Sequence, residues 1–600
     1  METEKISTGI NIDEDTKRVY PYNNLASNLI GFCGTDNTGI QGIEDSWNSV
    51  LQGTPGKITT STDAIQEEIP DSNQTYIPAE NGSDIVLTID YYIQTVLEKY
   101  LKQAVEENNA DSGTVVAMAP STGDILGMAC YPDYNLNTPF EPNTEELKAT
   151  WDTLDSTTQS DALYNMWKNN VVSSPYEPGS PYKLITAATA LEENITSEDV
   201  PNDFYCNGSI EVADRKISCW TQAHKGAKTL RQALQVSCNP SLIQLGQRIG
   251  AETLYKYYQA FGFFDKTGID LPQEASSTYW KLEDVKDVEL ATMSFGQRFT
   301  ITPIQLVSAV SAIANDGILM KPRIVKQIIN PETGTTTDIE PVQVRQVISK
   351  STSERMRNLM KSVVDDGSGR LAKVEGYSIG GKTGTSEPQA GREDEGYIAS
   401  YVAIAPTEKP EICLLIAVHN PNPNNEGSHQ GGQVCGPVVS QMLSEILPYL
   451  GLTSSNAQTS TDTVEEDTSY ATVPDIRNKT VTEAEKLLKQ AGFTTKVNIS
   501  GDKNSTLVTD QTPKPGSSIP KGSIIVLYTE ENDTRVSVKV PDFKDKTLAQ
   551  AENMAKANNL NITTEGSGTV ISQSIMVDTA VEEGTIIKLT LSTENDGTNQ

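Results

Sequence analysis

Long apolar runs are missing from this chain. No stretch approaches the roughly 18 or more consecutive apolar residues that a membrane-crossing helix needs, and the tightest apolar run, Ile412 to Val418, is far shorter. The first residues, Met1 to Asp15, are polar and lack the basic-then-apolar order of a secretory signal. Histidine is scarce: the 600 residues hold only His224, His419 and His429. So few imidazoles argue against His-rich metal centres and against a Ser-His-Asp triad. None of the seven cysteines forms a C-x-x-C pair, which disfavours a zinc ribbon or a thioredoxin-type site. No metal and no cofactor is expected on these grounds. Basic charge is also short. Lys plus Arg number 47 against 80 Asp plus Glu, a net charge of -33, and that field repels polyanions, so nucleic acid is not an expected partner.

What is present suits several folded domains. Hydrophobic residues make up 36% and charged residues 21%, enough to build cores, and at about 150 residues per domain the length suggests three to five units. Residues 1–80 are polar and Gly-rich, read as loops and brief strands between Gly31 and Lys57. Ile93, Val96, Leu97, Tyr100, Leu101 and Ala104 recur at helical spacing. Gly113 to Ala119 and Asp124 to Cys130 read as a hairpin across Pro120-Ser121-Thr122-Gly123. Three further β-runs, Tyr377 to Thr385, Tyr397 to Ala405 and Glu411 to His419, predict an antiparallel meander, closed by a helix from Pro437 to Leu447. The fold class expected is multidomain α/β, with one layered domain over residues 81–450 built on an antiparallel sheet flanked by helices.

Residues 451–471 are Ser, Thr, Asp, Glu, Asn and Gln with few hydrophobics, a linker composition. Beyond it the chain repeats itself, over residues 472–531 and 536–594. Val473-Pro474-Asp475 returns as Val540-Pro541-Asp542, Thr480 as Thr547 and Ala484 as Ala551. Thr480 to Glu483 and Thr547 to Gln550 each fit a capping box, so each repeat is expected to open a helix there. A Gln (Gln511, Gln573) and a Gly (Gly522, Gly584) precede each final β-run.

With histidine so rare, a nucleophile must find another base, and lysine can serve. Ser and Lys at i and i+3 share one helix face, and the amine works as a base only if burial or a second cation keeps it neutral. The signature is S-x-x-K, then S-x-N, then K-T-G. Each piece occurs more than once: Ser180 to Lys183, Ser500 to Lys503 and Ser518 to Lys521; Lys266-Thr267-Gly268 and Lys382-Thr383-Gly384; Ser237-Cys238-Asn239, Ser46-Trp47-Asn48 and Ser454-Ser455-Asn456. Context selects one of each. Ser180 precedes a strong helical pattern, Leu184 to Glu193, and reads as its N-cap with Pro181 at the first helical position. Lys382 follows Gly380-Gly381 on a β-run, where a ligand can approach the backbone. The ordered set Ser180, Ser237, Lys382 is therefore the candidate active site.

Tyr176-Glu177-Pro178-Gly179-Ser180-Pro181-Tyr182-Lys183, Ser237-Cys238-Asn239 and Gly380-Gly381-Lys382-Thr383-Gly384-Thr385 resemble the three active-site motifs of the penicillin-binding protein transpeptidases. Ser294-Phe295-Gly296-Gln297 and Thr302 to Leu306 resemble a further segment of that family. Arg18-Val19-Tyr20-Pro21 and Gly39 to Glu44 resemble the amino-terminal pedestal of its class B members, of the division and sporulation type, and the two repeats resemble PASTA modules. The chain differs from the common pattern at Pro181 and Tyr182, and its second repeat lacks prolines matching Pro513 and Pro515.

The resemblance implies a D-Ala-D-Ala transpeptidase that cross-links peptidoglycan stem peptides and is trapped by β-lactams. It implies Ser180 as nucleophile, Lys183 as its base, Ser237 as proton relay, Asn239 on the peptide backbone and Lys382 as the cation. Thr383, Gly384 and Thr385 would bind substrate, and the backbone N–H groups of Ser180 and Thr385 would form the oxyanion hole. It also implies other cell-wall synthesis proteins as partners and work on the extracytoplasmic face of a Gram-positive membrane, with an anchoring helix expected ahead of this chain. In that compartment a disulfide between Cys206 and Cys219 is expected, because the segment between them reads as a hairpin that joins its own ends. Two other readings share the same serine chemistry or fold: a β-lactam-hydrolysing or -sensing protein, and a non-catalytic wall-binding scaffold. The pedestal and repeats argue against the first, and the intact motif residues against the second.

Overall fold

The computed structural model describes residues 17–59, 75–388, 396–424, 427–452, 470–497, 502–530 and 535–592, apart from 545, 547 and 567–568. The chain divides into two compact units, the second containing the repeats. The heart of the first is a five-stranded antiparallel sheet of β1 (Ser112–Met118), β2 (Ile125–Tyr131), β3 (Gly380–Ser386), β4 (Ile398–Ala405) and β5 (Ile412–His419), in the order β3-β4-β5-β1-β2. The hairpin and the meander read from the sequence are both there. The meander joins the hairpin through β5 and β1, pairing Leu415 with Val116.

Both faces of this sheet are covered, which explains why its strands read as near-continuous apolar runs rather than as clean alternation. The period of two survives in which core each residue enters. Val116, Met118, Val402, Ile404, Cys413 and Leu415 face one cluster. Val115, Ala117, Tyr401, Ala403, Leu414 and Ile416 face the other. The second cluster is closed by α1 (Tyr91–Glu107) and, at the end of the unit, by the long helix Gly436–Tyr449. Asp90 caps α1 by accepting from the backbone N–H groups of Tyr92 and Ile93. The first cluster is helical: α2 (Lys183–Glu192), α3 (Asn239–Ile249), α4 (Pro303–Ala314) and α5 (Lys350–Asp366). In α4 every residue is buried, and Thr302 and Gln305 close a capping box at its start.

Two expectations are corrected here. The stretch from Gly31 to Lys57 holds short helices, Gly42–Ser46 and Asn48–Leu51, rather than only loops and strands. Ile43 turns inward to the main core. Ser180 does not cap α2. Residues Ser180–Tyr182 form a 3-10 turn that runs into the helix, after Gly179 at φ 57, and no side chain caps it. Glycine's left-handed freedom and the ring of Pro181 set the helix entry, which leaves the Ser180 hydroxyl uncommitted to the backbone.

In the second unit, the helix Val481–Gln490 is capped by the expected Thr480–Glu483 box, while Thr547 lies outside the described residues. Each repeat holds a three-stranded sheet with one parallel and one antiparallel pairing on its last strand. The repeated Gln has one job in both. Gln511 accepts from the Ile476 N–H and donates to the carbonyls of Pro474 and Pro513. Gln573 accepts from Phe543 N–H and donates to the carbonyls of Pro541 and Ile575. Buried backbone groups of the Val-Pro-Asp segment are satisfied in this way. Within their unit the two repeats share an interface, where Asn561 bonds both the N–H and the C=O of Ile524 and Ile586 packs on the first repeat's core.

Candidate active site

The three motifs converge at one end of β3. Lys183 leaves the first turn of α2 and is wholly buried. Its Nζ donates to Asn239 Oδ1 at 2.6 Å, to the Ser237 carbonyl at 2.9 Å and to Ser237 Oγ at 3.2 Å. Lys382, also wholly buried, enters from β3 and donates to Ser237 Oγ at 2.9 Å and to the carbonyl of Thr383 at 3.0 Å. Ser237 Oγ in turn donates to Ser180 Oγ at 2.9 Å. Ser237 is thus the hub: two amines and the Ser180 hydroxyl meet on its oxygen. The amine of Lys183 reaches Ser180 through it.

The backbone at the hub is unusual. Ser237 has φ 52, a left-handed conformation that costs a non-glycine residue on the order of 1 kcal/mol or more. It is held by Ser237 N–H to Leu234 and Cys238 N–H to Ala233, before α3 begins at Asn239 with Pro240 in its first turn. Burial decides the electrostatics. It pushes the Lys183 amine down to about 8. Burial, and after it the charge of Lys183, pushes Lys382 well below the ordinary lysine value. At Lys183, the expected base, burial is the lowering cause and no second cation adds to it, whereas at Lys382 the charge of Lys183 adds to burial.

Glycines let the elements come this close. A Cβ on Gly384 would lie 2.2 Å from Ser400 Oγ and 2.6 Å from Cδ of Pro181, so β3 can lie against the nucleophile's turn only with glycine there. Gly296, at φ +91, faces the same turn from the other side. Its carbonyl accepts from Gly179 N–H at 2.9 Å, and a Cβ would lie 2.0 Å from the Gly179 oxygen. Backbone meets backbone at that point, so no rotamer change relieves the clash. Gly296→Ala is expected to cost about 3 kcal/mol and to slow acylation, because the displaced residue precedes Ser180. Thermal melts beside a penicillin-labelling time course check this, and a melting temperature equal to wild type would refute the packing argument.

Ser180, Ser237, Asn239, Thr383, Gly384 and Thr385 line a cleft of about 500 Å³. β3 is an edge strand, and among the described residues no strand pairs with its other side. Sequence reasoning missed several cleft residues. Trp220, Arg370, Gln430 and Gln433 come from loops and short helices with no motif of their own. Thr385 Oγ1 is engaged by Gln430 and by the Gly431 N–H, and Ser368 Oγ meets Thr383 Oγ1 at 3.2 Å. The departure at Tyr182 is absorbed by the core. Its ring packs among Tyr258, Phe263 and Phe299, and its hydroxyl meets that of Tyr279 at 3.3 Å.

The expected disulfide is not formed: all seven cysteines are free thiols. Ser209–Val212 and Arg215–Ser218 do make the hairpin that brings Cys206 and Cys219 together. Yet Cys219 Sγ faces His224 Nε2 at 3.1 Å, and Cys238 joins the same group. A hydrogen bond from Cys238 is the largest cause holding the Cys219 thiol below its usual value, and it pushes Cys238 up. Spacing along the chain does not show this group, because its members come from three separate segments.

The chain matches the penicillin-binding protein transpeptidase domain over residues 113–444, the penicillin-binding protein dimerisation domain over 1–87, and the PASTA domain over 471–531 and 538–593. It belongs to the penicillin-binding protein transpeptidase family. It is 36% identical over 531 residues to Stage V sporulation protein D of Bacillus subtilis (strain 168), across 88% of this chain and 78% of that protein. It is 29% identical over 452 residues to the peptidoglycan D,D-transpeptidase FtsI of Escherichia coli (strain K12), across 74% of this chain and 69% of the relative. The crystal structure of penicillin-binding protein 3 from Mycobacterium tuberculosis with ampicillin superimposes with a TM-score of 0.61 at 26% identity, across 73% of this chain and 90% of that one.

Proposed function

We propose that this chain is a peptidoglycan D,D-transpeptidase of the class B, sporulation or division type. The observation that carries the reading is the hydroxyl hub, in which Ser180 Oγ contacts Ser237 Oγ between two buried lysines at the mouth of a cleft. Neutral Lys183 takes the Ser180 proton, relayed through Ser237 Oγ, as Ser180 Oγ attacks the carbonyl of a terminal D-Ala-D-Ala. The proton passes by the same hydroxyl to the leaving D-Ala amine, and an acyl-enzyme remains on Ser180. The amine of a second stem peptide then attacks, loses its proton to the relay and forms the cross-link.

The unpaired edge of β3 suits an extended peptide, which can add to it as a further strand along Thr383, Gly384 and Thr385. The backbone N–H groups of Ser180 and Thr385 donate to the oxyanion. Asn239 holds the peptide backbone and Lys382 places positive charge near the substrate carboxylate. The chemistry acts on the cell wall outside the cytoplasm, on stem peptides, and β-lactams capture the same serine. Cell-wall synthesis partners belong to this reading as well. The test is intact-mass spectrometry after incubation with a penicillin, followed by a cross-linking assay with D-Ala-D-Ala-ended stem peptides and an amine acceptor. One drug adduct per chain and a cross-linked product are expected. An unmodified mass, or free penicilloic acid accumulating over many turnovers, would overturn the transpeptidase reading.

A further inference from the structure

The cysteine and histidine cluster does nothing in the chemistry above, yet it abuts the site. Cys206 closes the strand Phe204–Cys206, Cys219 and His224 lie in the loop that follows the hairpin, and Cys238 sits between Ser237 and Asn239. One ligand atom from each lies within 4.8 Å of all the others. Tetrahedral zinc with Zn–S near 2.3 Å sets its sulfurs about 3.8 Å apart, so a single ion fits among them with small adjustments. Cys206, Cys219 and Cys238 are buried. Donors already point at two of the sulfurs: Gly208 N–H to Cys206 Sγ at 3.4 Å and Ser241 Oγ to Cys238 Sγ at 3.1 Å. Hydrogen bonds of that kind orient metal-bound thiolates. The loop is pinned independently, through Cys219 N–H to the Gly208 carbonyl, Gln222 Nε2 to the same carbonyl, and Trp220 Nε1 to Val236.

We infer that Cys206, Cys219, Cys238 and His224 form a tetrahedral zinc site that tethers the Ser237-Cys238-Asn239 segment to the hairpin beside the cleft. Three soft thiolates and one imidazole suit zinc among the divalent ions. Four protein ligands leave no open position, which makes the ion structural rather than catalytic. The three thiols enter as thiolates and release their protons on binding. The mechanical consequence is specific. Cys238 is flanked by the hub serine in its left-handed conformation and by the first residue of α3, while Trp220, next to Cys219, lines the cleft. The ion would thus fix the hub from behind without touching substrate.

The test is metal analysis of the full chain purified without chelator, by inductively coupled plasma mass spectrometry. One zinc per chain is expected, with most of it lost in Cys206→Ser and His224→Ala and all of it kept in Cys413→Ser, whose thiol is buried elsewhere. Should the variants fail to fold, cobalt added to chelator-stripped wild type supplies a second readout, the visible bands of tetrahedral thiolate-bound Co(II). Penicillin acylation should fall roughly tenfold or more in the zinc-free protein. Substoichiometric zinc in wild type after zinc supplementation, full zinc in both ligand variants, or peptide mapping that finds Cys206 joined to Cys219 would each overturn the inference.

Discussion

Ser180→Ala takes up no labelled penicillin, while its melting temperature stays within a degree or so of wild type. The substitution removes one hydroxyl from a partly exposed position and leaves the 3-10 turn, set by Gly179 and Pro181, unchanged. Exposed changes of this kind typically move stability by about 0.5 kcal/mol or less. The labelling loss should be complete because the acyl bond forms at that oxygen. Of the three S-x-x-K serines, Ser518 opens a short strand in the second unit and is exposed rather than set between two buried amines. Gel fluorescence with a labelled penicillin decides the matter, and signal at wild-type level in the alanine variant would mean that another serine is the nucleophile.

Lys183→Met should acylate at least about a hundredfold more slowly, the usual scale for losing a general base. The pH profile gives the independent check. A buried amine held near 8 is mostly protonated at neutral pH and can accept no proton. Acylation in the wild type should therefore rise as pH climbs through about 8 and level off above it, with roughly a tenth of the amine neutral at pH 7. The variant should lose this rise. It also leaves the Ser237 carbonyl and Asn239 Oδ1 short of a donor, so a stability loss of about 1–3 kcal/mol accompanies it. Circular dichroism separates that loss from the rate effect. A rate close to wild type with the profile retained would move the base to Lys382.

The sheet, its helical covers and the three motifs were legible because each rests on a local pattern. Strand runs between turn residues, capped helical periodicity at Thr480, and Ser-x-x-Lys ahead of a helix all live within a few residues of chain. The misreadings are of a different kind. Whether Ser180 caps α2 depends on the left-handed turn at Gly179, and glycine's presence permits that turn without announcing it. The group of Cys206, Cys219, His224 and Cys238 is assembled by a hairpin and the turn before α3, so no window of sequence contains it. Trp220 and Arg370 reach the cleft from connecting segments whose positions only the packed core determines. Asn561 is one polar residue among many in its repeat, and its pairing with Ile524 across two modules has no sequence signal at all.

The bare side of β3 has a consequence for aggregation. Unpaired strand edges are templates on which foreign chains nucleate, and proteins usually blunt them with charges, prolines or bulges. Gly380 to Ser386 has no proline and no bulge against β4, and the charge of Lys382 is buried against the Ser237 hydroxyl rather than set outward. Its protection is concavity. Because only Thr383 to Thr385 of this strand line the cleft of about 500 Å³, the approach favours a single extended peptide over a strand with a sheet behind it. The cleft wall acts as a steric sieve that favours lone strands over the preassembled sheets from which fibrils grow.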